Sequence, residues 1–211
     1  MIGFLGGTFD PVHLGHTHAA TSVREALGLD EVRMVLAARP GHRQPPQAAV
    51  THRWQMLQLA CAEHAGLVAD DSELERQGHS YTVDTLRAFH QQYPNTYPVW
   101  ILGQDAFATL AEWYQWQDLM QLCNLVVVER PGDERAEPAA VEQLERAHRA
   151  KTLRAGTLGQ IVRLPLSMQE VSATQIRHKI AHGAPFEHLL AGPVCTYIKT
   201  HDLYATLETA I

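Results

Sequence analysis

Met1-Ile2-Gly3-Phe4-Leu5-Gly6-Gly7-Thr8-Phe9-Asp10-Pro11-Val12-His13-Leu14-Gly15-His16 is the stretch that decides the fold. Met1–Leu5 is a short, mostly apolar run, and Gly6-Gly7 stops it at a tight loop, the pattern of a buried parallel strand. Beyond Pro11, His16, Ala19, Ala20, Val23 and Leu27 recur at helical spacing, and Gly28 is placed to close that helix as its C-cap. A buried strand that ends in glycines and hands over to a helix is the opening unit of a parallel α/β sheet.

The alternation continues downstream. Val32–Ala38 reads as the next strand, followed by a long irregular loop marked by Pro40-Gly41 and Pro45-Pro46, a length that often carries function. Thr51 is expected to cap a helix through Trp54, Leu57 and Cys61, with a strand near Leu67–Ala69. Tyr81–Tyr93 reads as a helix, Val99–Leu102 and Leu125–Val128 as strands, and Glu137–Lys151 as a charged helix with a solvated face. Ile161–Leu164 is the last strand, and Ser172-x-x-Gln175 opens a late helix in capping-box spacing, with Ile176 and Ile180 on one side and Gly183 ending it. Strands alternating with helices argue for an α/β fold, a doubly wound parallel sheet with a helical C-terminal part. One domain over residues 1–211 is expected, with 131–157 as the candidate insert or subdomain joint.

Composition narrows the function classes. At 211 residues the chain buries roughly 70% of its unfolded surface and needs no disulfide or metal staple. With 45% hydrophobic and 19% charged residues it is globular, and its apolar runs fall far short of the roughly 18 residues of a membrane span. The N-terminal residues lack the basic and long apolar regions of a secretory signal. Three scattered cysteines, Cys61, Cys123 and Cys195, suit buried thiols in a reducing cytoplasm better than a disulfide frame. Seventeen basic against 23 acidic residues give a net charge of −6, which disfavours sequence-independent nucleic-acid binding. The chain also carries 13 histidines, most of them expected at the surface and a few placed where chemistry would use them.

Those few lie in the opening stretch. Gly6 and Gly7 let the backbone approach a bulky anion, and the following helix presents N–H groups and a positive dipole end. His13 and His16, three positions apart at that end, can face one phosphate chain. The stretch is neither a G-x-G-x-x-G fingerprint nor a Walker loop. A plain turn with two capping histidines is the alternative, and zinc lacks a third ligand nearby.

Gly-Gly-Thr-Phe-Asp-Pro-Val-His-Leu-Gly-His resembles the signature of the nucleotidyltransferase α/β-phosphodiesterase superfamily, whose H-x-G-H element binds ATP phosphates. Val171-Ser172-Ala173-Thr174-Gln175-Ile176-Arg177 resembles its I-S-x-T-x-I-R element. Ser80-Tyr81-Thr82-Val83-Asp84-Thr85-Leu86, Gly103-Gln104-Asp105 and Trp113-Tyr114 are similar to segments of the bacterial nicotinate-mononucleotide adenylyltransferases. The resemblance spans nearly the whole chain, Gly132–Thr157 least. It implies a Rossmann-like fold and an enzyme of NAD biosynthesis that joins ATP and nicotinate mononucleotide into deamido-NAD and pyrophosphate.

The resemblance also implies roles. Gly6, Gly7, Thr8 and Phe9 line the ATP site, with His13 and His16 on its phosphates. Asp105 contacts the adenosine ribose and Gly103 approaches it closely, while Ser172, Thr174 and Arg177 hold phosphate oxygens. His13, His16 and Arg177 are the expected catalytic residues. Ser80, Tyr81, Thr82, Trp113 and Tyr114 hold the nicotinate, and His42-Arg43 is the basic pair of a mobile loop. That loop departs from the pattern P-N-x-x-P-P-H-K: Ala38 stands where the pattern has asparagine. Read without the resemblance, Trp113, Tyr114 and Trp116 also suit core aromatics, Asp105 an N-cap of a helix Ala106–Ala111, and Arg177 a solvated helix residue.

The acceptor's phosphate is already mostly a dianion at neutral pH, its second pKa being about 6, so the transfer needs no general base. The protein must align it with the α-phosphorus and stabilise the charge that spreads onto the leaving pyrophosphate. No carboxylate cluster has ligand spacing, so no protein metal site is expected and Mg²⁺ should arrive held by substrate phosphates and water. Transfer of an adenylyl or cytidylyl group to another phosphorylated acceptor is the alternative within the enzyme class, and a catalytically silent nucleotide-binding regulator the alternative outside it. No nucleic-acid or membrane partner is expected, and the oligomeric state is not legible.

Overall fold

Strand and helix follow one another as the periodicity predicts. In the computed structural model, which describes residues 1–41, 45–76, 78–129, 137–166 and 171–205, the order is β1 (Ile2–Gly7), α1 (Leu14–Leu27), β2 (Glu31–Leu36), α2 (Val50–Ala62), β3 (Leu67–Asp70), α3 (Ser72–Glu75), α4 (Thr82–Gln92), β4 (Val99–Gly103), α5 (Gln104–Ala108), α6 (Leu119–Leu122), β5 (Asn124–Glu129), α7 (Ala139–His148), β6 (Ile161–Pro165), α8 (Ala173–Ala181) and α9 (Gly192–Thr200). The strands form one six-stranded sheet in the order β3-β2-β1-β4-β5-β6, every pairing parallel. This is the doubly wound Rossmann-like arrangement: strand order reverses between β1 and β4, and ligands of such sheets bind outside the strand C-termini at that point.

Alternate side chains of each strand feed opposite faces. Val32, Met34, Ile101, Val126 and Val128 pack beneath α1, α2, α8 and α9 with Val23, Met56, Leu57, Ile176 and Ile198. Phe4, Trp100, Leu102, Leu125 and Val127 pack on the other face with Val83, Leu86, Phe107, Leu119 and Val141. Both faces are therefore dry, which is why the strands read as continuous apolar runs rather than alternating ones. Among the described residues no helix is long and apolar enough to cross a membrane.

Several boundaries move from their expected places, for physical reasons. The strand expected over Val32–Ala38 ends at Leu36, because the Ala37 and Ala38 carbonyls turn to the guanidinium of Arg53. The cap of α2 is Ala49 rather than Thr51, and it makes no side-chain hydrogen bond; the approach to the helix is held instead by the Gln47 and Ala48 amides on Asp10. Asp105 lies within α5, whose cap is Gly103, since the sheet passes into the helix without a linker. Gly28 and Ser172 do cap α1 and α8 as read, Gly28 in the left-handed conformation at φ 59° and Ser172 with its hydroxyl accepting from the Gln175 amide.

The helix expected to be solvated over Glu137–Lys151 is α7, and one side of it is not solvated: Val141 and Glu145 are buried. Glu145 meets Arg163 of the edge strand β6 in a bidentate pair, Nε to Oε1 at 2.7 Å and Nη2 to Oε2 at 2.6 Å, while Glu129 and Glu137 accept from the same guanidinium. Hydrogen bonding to Arg163 holds the Glu145 carboxyl below its ordinary range. A depressed carboxylate adds stability that is complete above the unfolded pKa and is lost as pH falls through the folded one. The Tm advantage of the wild type over Glu145→Gln is therefore expected to be greatest at neutral pH and to shrink below about pH 4. A gap in thermal melts that stays constant down to about pH 3 would remove this account of how α7 is held.

Candidate active site

The register of β1 against β4, with Leu5 opposite Ile101, brings Gly6-Gly7 and Gly103 to the same C-terminal edge, at the switch point of the sheet. Space is tight there: a side chain at Gly6 or Gly7 would meet an aromatic ring, and one at Gly103 would displace the Asp105 carboxylate. A Cβ on Gly6 would lie 2.8 Å from the Trp100 ring, one on Gly7 2.7 Å from the Phe9 ring, and one on Gly103 2.6 Å from Asp105 Oδ1. Phe9 takes a positive φ of 48° and is buried, so the loop folds back over Gly7 and leaves Thr8 partly exposed at the rim.

His13 caps α1 and His16 lies in its first turn, which contains no acidic residue. The two imidazoles stack at 3.7 Å between centroids, and His16 meets the Phe9 ring edge-on at 5.0 Å. The His13 amide donates to His16 Nδ1 at 3.2 Å. With Nδ1 accepting, the neutral His16 ring carries its proton on Nε2, the nitrogen turned away from the helix backbone. Histidine capping and a histidine offered to an anion are thus compatible, one nitrogen serving each.

The far end of the chain closes onto this loop. Arg177 Nη1 donates to the Asp10 carbonyl at 2.7 Å across 167 positions, and its Nη2 reaches Thr174 Oγ1 at 3.4 Å. A Cβ on Gly15 would lie 2.8 Å from Val171, so α1 and the start of α8 are in contact. The first turn of α8 also lacks acidic residues. Two helix N-termini, two imidazoles and a guanidinium therefore share one patch, a strongly anion-favouring arrangement. Arg177 is not the solvated helix residue that spacing alone allows.

A second group forms beside α4. Tyr81, Thr82 and Ser80 stand at its N-terminus, where Tyr81 is the N-cap by its backbone rather than by a side-chain capping bond. The Tyr81 ring lies 4.5 Å from that of Tyr114, which is 46% exposed; Trp113 is partly buried against the core and so serves packing at least in part. The long loop joins the two groups. At one root Ser80 exchanges hydrogen bonds with Arg39, amide to carbonyl at 3.0 Å and hydroxyl from amide at 3.1 Å; at the other root Gln47 and Ala48 donate to Asp10. His42 and Arg43 lie outside the described residues.

Three residues that organise the site are absent from the sequence-derived roles. Asp10, 6% exposed, accepts from the Gln47 amide at 2.8 Å, the Ala48 amide at 3.1 Å and the Tyr204 hydroxyl at 2.7 Å. Arg53, 2% exposed, donates to the carbonyls of Thr8, Ala37, Ala38 and Ala48; burial draws its pKa down against the pull of Asp10. A signal for Arg53 was present: it precedes Met56, Leu57 and Ala60 on the apolar side of α2, where an arginine must find buried acceptors. Nothing local marks Tyr204.

The carboxylates at the site are committed or peripheral: the Asp10 oxygens already accept three hydrogen bonds, and Asp105 folds over Gly103. Among the described residues no group of three or more His, Cys, Asp or Glu is placed to hold a metal ion. Two surface hollows lie elsewhere, one lined by Leu59, Tyr197 and His201 and one at the opposite end of the sheet by Met1, Phe89 and Tyr97, and neither contains a residue of this patch.

The cytidylyltransferase-like family model matches residues 4–179. The chain is 42% identical over 205 residues to a probable nicotinate-nucleotide adenylyltransferase of Bordetella pertussis, covering 96% of this chain and 97% of the relative. It is 39% identical over 204 residues to a protein of the same name from Hydrogenovibrio crunogenus, covering 97% of each. Among solved structures, the fold matches Plasmodium falciparum nicotinic acid mononucleotide adenylyltransferase, complexed with NaAD, at a TM-score of 0.75 and 15% identity over 98% of both chains.

Proposed function

Because the chain belongs to the cytidylyltransferase-like family and, within it, to the nicotinate-nucleotide adenylyltransferases, we propose that it joins ATP and nicotinate mononucleotide into nicotinate adenine dinucleotide (deamido-NAD) and pyrophosphate, a step of NAD biosynthesis. The observation that carries this reading is the meeting of the two chain ends, Arg177 on Asp10 beside His13 and His16, at the switch point of the sheet.

The chemistry follows from the donors. One oxygen of the acceptor's phosphate dianion attacks the α-phosphorus, and the bond from that phosphorus to the pyrophosphate oxygen breaks. The dianion is already present at neutral pH, so no side chain need remove a proton. His13, His16, Arg177, Thr174 and the amides at the starts of α1 and α8 stabilise the negative charge on the triphosphate as it shifts to the leaving group. Gly6, Gly7, Thr8 and Phe9 shape the floor, Gly103 and Asp105 take the adenosine ribose, and Ser172 keeps the α8 terminus open to phosphate. The acceptor occupies the second group, with Ser80, Tyr81, Thr82 and Tyr114 around the pyridine, Trp113 behind them, and His42 and Arg43 on its phosphate. Mg²⁺ suits this site as a substrate-held ion, since the Asp10 oxygens already accept three hydrogen bonds; carried in on the substrates, it would supply charge neutralisation for the leaving pyrophosphate. Residues 1–211 are read as one nucleotidyltransferase domain, and three free, buried cysteines suit a cytoplasmic location.

The test is pyrophosphate release from ATP and Mg²⁺ with a panel of phosphorylated acceptors. Nicotinate mononucleotide is expected to give the highest kcat/KM. A preference for a pantetheine or glycerol phosphate, or no release with any acceptor, would overturn the reading.

A further inference from the structure

The turn after α9 brings a tyrosine back into the site. His201 ends that helix, and Asp202 and Tyr204 both take positive φ, 48° and 64°, a conformation that non-glycine residues hold only when their surroundings fix it. What fixes it here is visible. The Tyr204 ring, 8% exposed, joins the core cluster under α2 and α9, and its hydroxyl donates to Asp10 Oδ1 at 2.7 Å across 194 positions. Burial and the adjacent carboxylate push the phenol's pKa up, so it remains a donor throughout the neutral range.

We propose that Tyr204 is a positioning residue for adenylyl transfer, its hydroxyl setting the Asp10 carboxylate and, through Asp10, Arg177. This rests on the activity proposed above. The other contacts of Asp10 all lead to the site. Its carbonyl accepts from Arg177 Nη1 at 2.7 Å, its Oδ2 stands 3.9 Å from the same nitrogen, and its two carboxylate oxygens take the Gln47 and Ala48 amides. A carboxylate with donors on several bearings is orientationally fixed only while those donors stay in place, and Tyr204 is the donor that comes from outside the two loops. Loss of the hydroxyl leaves Asp10 held by the two loop amides alone and able to shift toward Arg177, drawing the guanidinium off the position from which it meets phosphate. The ring, which packs, and the hydroxyl, which orients, are separable by one substitution.

Tyr204→Phe in the full chain keeps the ring and removes the donor. At a temperature well below its Tm, kcat is expected to fall about tenfold, as for loss of a hydrogen bond to a charged group, with the KM of either substrate little changed. In an Arg177→Ala background the same substitution should alter kcat by less than about twofold, because the group it positions is gone. A merely structural tyrosine would lower Tm and leave this coupling absent. If Tyr204→Phe does not fold, the same cycle with Asp10→Asn replaces one accepting oxygen by an NH₂ donor and leaves the tyrosine intact. A kcat within about twofold of wild type, or an equal loss in both backgrounds, overturns the role of Tyr204. A wild-type chain that releases no pyrophosphate overturns the proposed activity and this inference with it, so the two failures are distinguishable.

Discussion

His16→Ala is expected to fold and to lower kcat by about 10²-fold or more, as for loss of a donor aimed at transition-state charge. The fold is expected to survive because His16 is only partly buried and the hydrogen bond it accepts from the His13 amide at 3.2 Å is local. Loss of such a cap costs about 1 kcal/mol. The two duties can be separated further. An asparagine carbonyl reaches about as far as Nδ1 and can restore the cap, whereas a glutamine amide reaches about as far as Nε2 and can restore the outward donor. Recovery by His16→Gln and not by His16→Asn would assign the loss to the phosphate side. Recovery by His16→Asn, or near wild-type kcat in folded His16→Ala, would reduce this histidine to a cap.

That the opening stretch could be read this way reflects how local its physics is. Gly6-Gly7, the helix start at Leu14 and the left-handed Gly28 are each dictated within a few residues. The sheet was legible for the same reason, since strands buried on both faces leave continuous apolar runs such as Leu125–Val128. What local reading misses is closure over distance. Thr51 and Asp105 have the right chemistry for caps, but their helices begin earlier, because Asp10 holds the approach to α2 and β4 runs straight into α5. The solvated face assigned to α7 failed at Glu145, whose partner Arg163 lies 18 positions on and is placed by a strand pairing. Asp10, Arg53 and Tyr204 escaped for a related reason: apart from the Arg53 bond to Ala48, each acts through groups 15 to 194 positions away. The resemblance supplied what spacing could not, that the two ends of the chain come together, and Arg177 on the Asp10 carbonyl is that contact.

The acid, nicotinate mononucleotide, is expected to exceed its amide by about 10²-fold or more in kcat/KM, because polar sites reject analogues that mispair their donors. The helix α4 starts at Thr82, and the Tyr81 carbonyl accepts from the Asp84 and Thr85 amides. The earlier amides, of Thr82 and Val83, belong to the donors that every helix N-terminus presents. Tyr81 and Tyr114, 4.5 Å apart, put aromatic surface next to those donors. Asp84 in the same turn would oppose an anion, but Arg87 stands 3.6 Å from it and reduces that opposition. A carboxylate substituent accepts from such donors with both oxygens, in charge-assisted bonds. A carboxamide must turn its NH₂ toward at least one of them. Two donors then face each other out of water, at about 1–3 kcal/mol for the unpaired group, and the ionic contribution is lost as well. Competition between acid and amide under one set of conditions measures the ratio directly. Equal kcat/KM for the two would show that the α4 terminus does not face the pyridine substituent, even with adenylyl transfer itself confirmed.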